Sequence, residues 1–212
     1  VPAELPDPRQ IRVGWLGDLG GHLAMEPGIL PLCEQALGVL AGAGMQVEAA
    51  TPGFDPEAVW QAWLVWRRAL VASAVGAVLT QPGAREKIKP EALWEHDSAA
   101  NLGFAQFMHA SQSRGAFHGQ MLRLLQHFDV LILPTAQTWP FDIRARWPQQ
   151  IAGRPMDTYH RWMEVTLYAT FAGLPALSVP CGFDAQGRLP MGLQLIGKPG
   201  AHAALLQVGA MF

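Results

Sequence analysis

The chain has 212 residues, half of them apolar, with a formal net charge of -2. That is enough apolar material to build a core, so the chain reads as globular, while its few, scattered Lys and Arg offer no basic field for a nucleic acid backbone. Its two cysteines, Cys33 and Cys181, lie far apart in sequence and can make one bridge at most, so no disulfide framework is supported and a reducing cytoplasm is the expected location.

In chain order, VPAELPDPRQ is acidic and proline-rich, lacks a basic and an apolar region, and does not read as a secretory signal. IRVGWL (11–16) and MQVEAA (45–50) are short β-rich runs. Between them Ile29, Leu32, Cys33, Ala36, Leu37 and Leu40 recur at helical spacing until Gly42 and Gly44 stop the pattern, which predicts a strand, helix, strand unit. Asp55 is a cap and Pro56 a first helical residue, opening a long helix to about Thr80. Its apolar stretch (58–80) is long enough to span a bilayer, but Arg67 and Arg68 near its middle would be costly there. A buried helix of a soluble protein, with no membrane partner, is the expectation.

QPGAREKIKP (81–90) reads as a polar loop and residues 99 to 127 as a helix. VLILP (130–134) is uninterrupted and apolar, as in a strand covered on both faces. A long proline-punctuated loop follows, of a length usually tied to function. A helix is predicted from about Thr158 to Ala172, then a β-hairpin of ALSVPCGF and PMGLQLIGK joined by DAQGR. The chain begins at Val1 without a methionine and stops at Phe212 inside an apolar helical pattern, and so reads as a piece of something larger.

Several motif-like strings carry no chemistry. GLQLIGK (192–198) has the glycine and lysine spacing of a phosphate-binding loop, but its interior is an apolar strand pattern and Pro199 stands where Ser or Thr should hold magnesium. GWLGDLGG (14–21) does not form GxGxxG and reads as tight turning. His109, His118 and His127 fall nine residues apart on one helix, so neighbours point to opposite sides and cannot share a metal. Glu95, His96 and Asp97 read as solvated loop, and no metal site is expected. Ser178 lies inside a predicted strand rather than on a nucleophile elbow, so its hydroxyl is expected to satisfy backbone. Cys181 would need a base that the sequence does not identify, and packing is the expected role.

FDVLILPTAQTWPF, TFAGLPALSVPCGF and GRLPMGLQLIGKPG together resemble the C-terminal portion of the amidase signature family, serine hydrolases that cleave carboxamides. The likeness extends more loosely upstream, through SRGAFHGQMLRLL and back to IRVGWLGDLGG. It implies an α/β fold, a mixed β-sheet flanked by helices on both faces, of which residues 1–212 would be the C-terminal portion of a single domain. The family works through a Ser, cis-Ser, Lys triad in or beside a Gly/Ser-rich segment, and needs no cofactor. The serines here (Ser73, Ser98, Ser111, Ser113 and Ser178) include no adjacent pair, and the lysines are Lys87, Lys89 and Lys198. The triad is therefore expected upstream, in an N-terminal half that acts as this chain's partner.

By resemblance, the loop after LPT and the helix before GLPALS border the substrate channel, which implies that Trp139, Phe141, Trp162 and Met163 are substrate-binding; taken singly, each is as readily an ordinary core or rim residue. Members that act on glutamine carry an acidic residue near the position of Met163, and the apolar side chain here points to a neutral, small-molecule amide. The alternative is a non-catalytic binding or assembly module that kept the shape and lost the chemistry. Association into a homo-oligomer stays open.

Overall fold

The computed structural model describes residues 7–211, so the first six residues of VPAELPDPRQ and Phe212 lie outside the described part. Strand β1 (Arg12–Trp15), helix α1 (Ile29–Gly42) and strand β2 (Gln46–Ala49) form the expected unit, with β1 and β2 parallel from Arg12↔Gln46 to Trp15↔Ala49. The turn after β1 passes through left-handed backbone, including Leu19 at φ 57°, which fits its reading as tight turning.

Helix α2 (Pro56–Leu79) starts where the sequence places it: Asp55 accepts from the Glu57 backbone N–H at 3.0 Å. The chain continues through α3 (Pro90–Ser98) and α4 (Phe104–His127) to strand β3 (Val130–Pro134). The long loop then carries a two-residue-per-strand hairpin, β4 (Gln150–Ile151) and β5 (Arg154–Pro155). The helix expected from about Thr158 is broken: a 3-10 segment, Arg161–Thr166, with Met163 outside helical backbone angles, precedes α5 (Leu167–Ala172). Strands β6 (Ala176–Phe183) and β7 (Pro190–Gly197) make the predicted hairpin, and α6 (His202–Met211) follows.

Apart from the β4–β5 hairpin, the strands form one mixed sheet in the order β2-β1-β3-β7-β6, in which β1 is parallel to β2 and β3, and β7 is antiparallel to β3 and β6. Period-two alternation sorts the core. Val130 and Ile132 of β3, with Leu193 and Leu195 of β7, pack with α1 and α6 residues such as Cys33, Leu37, Leu205 and Val208. Leu131 and Leu133 turn the other way and are also fully buried, as befits a strand covered on both faces. On that side Gln194 Nε2 donates to the Val165 carbonyl at 3.2 Å, and the His118 ring of α4 donates to the carbonyl of Ala172, the last residue of α5, at 2.7 Å.

The chain divides into two units: the described residues up to Phe54 with those from His118 on, and the helical stretch Asp55–Phe117. Within the helical unit two expectations need correction. Glu95, His96 and Asp97 belong to α3 rather than to solvated loop; Glu95 is buried and accepts from Arg67 Nε at 2.9 Å, while Asp97 pairs with Arg85 and with the His96 ring. Their polar composition hid a helix whose charges are spent inside the unit. Nor is α2 buried along its length: Val59, Trp60, Ala62, Leu64 and Val65 are covered, but Leu70 and Val78 are exposed. Its central arginines are engaged locally, Arg67 with Glu95 and over the Trp63 ring, Arg68 over the Trp94 ring. By length and composition alone α2 would also suffice to cross a membrane.

Candidate functional site

The ends of β3, β6 and β7 share a cleft of about 550 Å3 with the loop that follows β3. Its strand wall is built by Thr135, Ser178, Pro180, Met191 and Gly192, and its loop wall by Thr138, Trp139, Pro140, Phe141 and Trp162. All of its lining residues are uncharged.

The strand wall follows from register. Ser178 pairs with Gln194 and Pro180 with Gly192, so Ser178 and Pro180 share a side while Val179 is buried between them. The Thr135 and Ser178 hydroxyls meet at 3.1 Å over Gly192. A Cβ on Gly192 would stand 2.9 Å from Thr135 Oγ1 and 2.9 Å from the Val179 carbonyl oxygen, so only glycine lets the hydroxyls close over the strand. Ser178 therefore bonds a side chain, where a backbone partner was expected. Its partner is a neutral hydroxyl and not a base, so nothing in the pair would activate it as a nucleophile.

The loop wall is suspended by polar bonds from distant parts of the chain. The Trp139 backbone N–H donates to Glu26 Oε2 at 2.7 Å, and the Trp139 indole donates to the Pro27 carbonyl at 3.1 Å. Behind it, buried Gln137 donates to the Ala24 carbonyl and accepts from the Val165 N–H, both at 3.0 Å. Phe141 and Trp162 meet edge to face with centroids 5.4 Å apart. Trp139, Phe141 and Trp162 thus come together along one cleft, and Met163 is not among the lining residues.

Next to Met163 stands Glu164, a carboxylate that the sequence reading did not single out. It is buried at 2% exposure and accepts from the His22 ring at 2.7 Å, Tyr168 Oη at 2.9 Å and Arg161 Nη1 at 3.0 Å. Three donors hold it in its buried place, so it fixes the wall to the turn after β1, and it is not among the residues lining the cleft. Arg154 reinforces the same junction by donating to the Gly21 and His22 carbonyls at 2.9 and 2.8 Å.

Asp129, just before β3, ties together three strand ends. Burial works against its charge, yet the Arg12 backbone N–H, the Lys198 ammonium and the Arg12 guanidinium together hold its carboxyl down to about 2. Lys198, the lysine of the rejected phosphate-loop string, is thereby a structural cation at the end of β7. Cys181 sits where the β6 register slips between Pro180 and Gly182 and packs against the core cluster that holds Cys33 of α1; the neighbouring Cys33 lowers its thiol against the opposing effect of burial.

The family described as Amidase matches residues 2–206. Among curated proteins the chain is 27% identical over 216 residues to an acylamidase of Rhodococcus erythropolis, covering 100% of this chain and 44% of that protein. It is 39% identical over 104 residues to a glutamyl-tRNA(Gln) amidotransferase subunit of Synechococcus sp. (strain RCC307), covering 49% of this chain and 20% of that protein. Among solved structures a bacterial aryl acylamidase superposes with a TM-score of 0.80 at 22% identity over 94% of this chain and 42% of that one, a likeness of fold. The chain spans less than half the length of these relatives.

Proposed function

From the premise that the chain belongs to the amidase signature family, we propose that it is the C-terminal part of a hydrolase that cleaves the C–N bond of a neutral carboxamide, with the nucleophile and its proton relay supplied by residues outside these 212. In that scheme an activated hydroxyl attacks the amide carbon. The tetrahedral intermediate then expels the nitrogen, which takes a proton and leaves as ammonia or an amine. Water cleaves the resulting acyl ester to the carboxylate.

This chain's share is to bind and orient. The observation that carries the proposal is the cleft itself, with aromatic rings on one wall, hydroxyls on the other and no charged lining residue. An aryl or alkyl acyl group would bury apolar surface against Trp139, Phe141 and Trp162, whereas the charged ends of glutamine would be desolvated without a counter-ion from this chain. Glu164, the acid nearest Met163, is buried, engaged by three donors and not among the residues lining the cleft.

The test is amine release from a neutral anilide, measured for the complete protein and for residues 1–212 alone. The complete protein should turn over and the isolated chain should not. In the complete protein Trp139→Ala should raise KM by about tenfold, with kcat changed less, because it removes binding rather than chemistry. Robust hydrolysis by the isolated chain, abolished by Ser178→Ala, would overturn the proposal.

A further inference from the structure

We propose that Cys33 and Cys181 form a reversible dithiol–disulfide site, oxidised by thiol–disulfide exchange with a small-molecule disulfide, which locks helix α1 to the irregular strand β6.

The geometry begins with the strand. Pro180 pairs with Gly192 and Gly182 with Met191, so Cys181 is the extra residue of a β-bulge, and it keeps the side of the strand that Leu177 and Val179 present to the core. That side faces α1. Cys181 packs against the cluster in which Cys33 is fully buried, and a Cβ on Gly182 would stand 2.9 Å from Leu32 Cδ1, so the helix lies directly on the bulge at the position before Cys33. Both cysteines are free, and both belong to the packed cluster between α1 and β6.

The two thiols are unequal in the way stepwise exchange requires. Cys181 is half-buried, and the neighbouring Cys33 holds its thiol below the usual range against the opposing effect of burial. Cys33 is pushed far up, by the neighbouring Cys181 and by burial. In the first step the Cys181 thiolate attacks the small disulfide R–S–S–R. One S–S bond breaks, R–S⁻ leaves and takes up a proton, and Cys181 carries a mixed disulfide. The negative sulfur that held up Cys33 is then gone. In the second step Cys33 loses its proton to solvent and attacks Cys181 Sγ, expelling the second R–S⁻. The protein loses two electrons and two protons, and the small disulfide becomes two thiols. This inference rests on the sheet unit alone, not on the amidase reading.

The test treats the complete protein that carries this chain with excess glutathione disulfide under native conditions, followed by peptide mapping without reduction. The expected product is an intramolecular peptide pair joining Cys33 to Cys181, two hydrogens lighter than the reduced pair and restored by a reductant, with Tm raised by about 5 °C or more. Cys33→Ala should stop at the first step and accumulate one glutathionyl group on Cys181. Should Cys33→Ala not fold, the wild-type map decides alone. A wild-type protein that halts at the Cys181 adduct while folded, or keeps both thiols free when the same oxidant modifies the unfolded chain, overturns the proposal.

Discussion

The two walls of the cleft are held by different physics. The strand wall stands on β3 and β7, whose Leu131, Ile132, Leu133, Leu193, Leu195 and Ile196 are fully buried. Its position follows from many nonspecific apolar contacts on both faces of a sheet, and no single hydrogen bond decides it. The loop wall is covered more thinly at its rim, where Phe141 is 41% exposed, while Trp162 packs on the small cluster of Ala24, Ile151 and Met156 and Trp139 on the edge of the main core. That wall is placed by a few buried polar bonds, Gln137 to Ala24 and Val165, Glu26 to Trp139, and Glu164 to His22, Tyr168 and Arg161. The strand wall should thus lose stability in proportion to volume removed, and the loop wall should lose geometry whenever one polar partner is removed.

The largest effect should come from Leu193→Ala, at the centre of the sheet, which should destabilise by about 3–4 kcal/mol, read as a drop in the denaturation midpoint without a change of m. Glu164→Ala should cost about 2–3 kcal/mol, because it strands donors from three side chains around a buried void. Unlike Leu193→Ala it should also raise KM for a neutral amide, since Trp162 sits two residues away on the same broken helix. A Leu193→Ala variant with a large KM change, or a Glu164→Ala variant with none, would break the contrast. Gln137→Leu is a smaller version of the same test, with an expected loss of about 1–3 kcal/mol from the Ala24 carbonyl and Val165 N–H left without their partner.

The smallest effect sharpens the strand side. The folded carboxyl of Asp129 is depressed from 3.8 to about 2, so its contribution is complete above about pH 4 and is lost as pH falls through about 2. Its side chain is 33% exposed, so after allowance for solvent screening the loss should be on the order of 1 kcal/mol. Asp129→Asn should flatten the acid limb of the stability curve between those values. An unchanged acid limb in Asp129→Asn would remove Asp129 from the account of how the strand ends are joined.

The same contrast explains what the sequence disclosed. VLILP, the βαβ unit and the β6–β7 hairpin are legible because burial on a sheet imposes an apolar rhythm that survives in one dimension. The amidase resemblance is carried by these strands and the turns beside them. The loop wall leaves no such trace: Gln137 and its acceptor are 113 residues apart, and Glu164 and His22 are 142 apart, separations that no local pattern encodes. The place of Met163 is implied by the resemblance alone; the continuous helix that spacing predicts there is broken at Met163, with φ -116°, a backbone event to which periodicity is blind. Helix α3 escapes sequence reading for a related reason, since Glu95 and Arg67 satisfy each other 28 residues apart and make a packed helix look solvated. Alternation puts Cys181 on the face of Leu177 and Val179, but no local pattern names Cys33 of a distant helix as its neighbour there.

In the proposed function, the uncharged, aromatic cleft of this chain selects neutral amides. The most direct measurement is kcat/KM of the complete protein for a neutral anilide and for glutamine under the same conditions. The expected result is a preference of at least about tenfold for the anilide, reduced by Trp139→Ala chiefly through KM. A preference for glutamine, unaffected by Trp139→Ala, would contradict it.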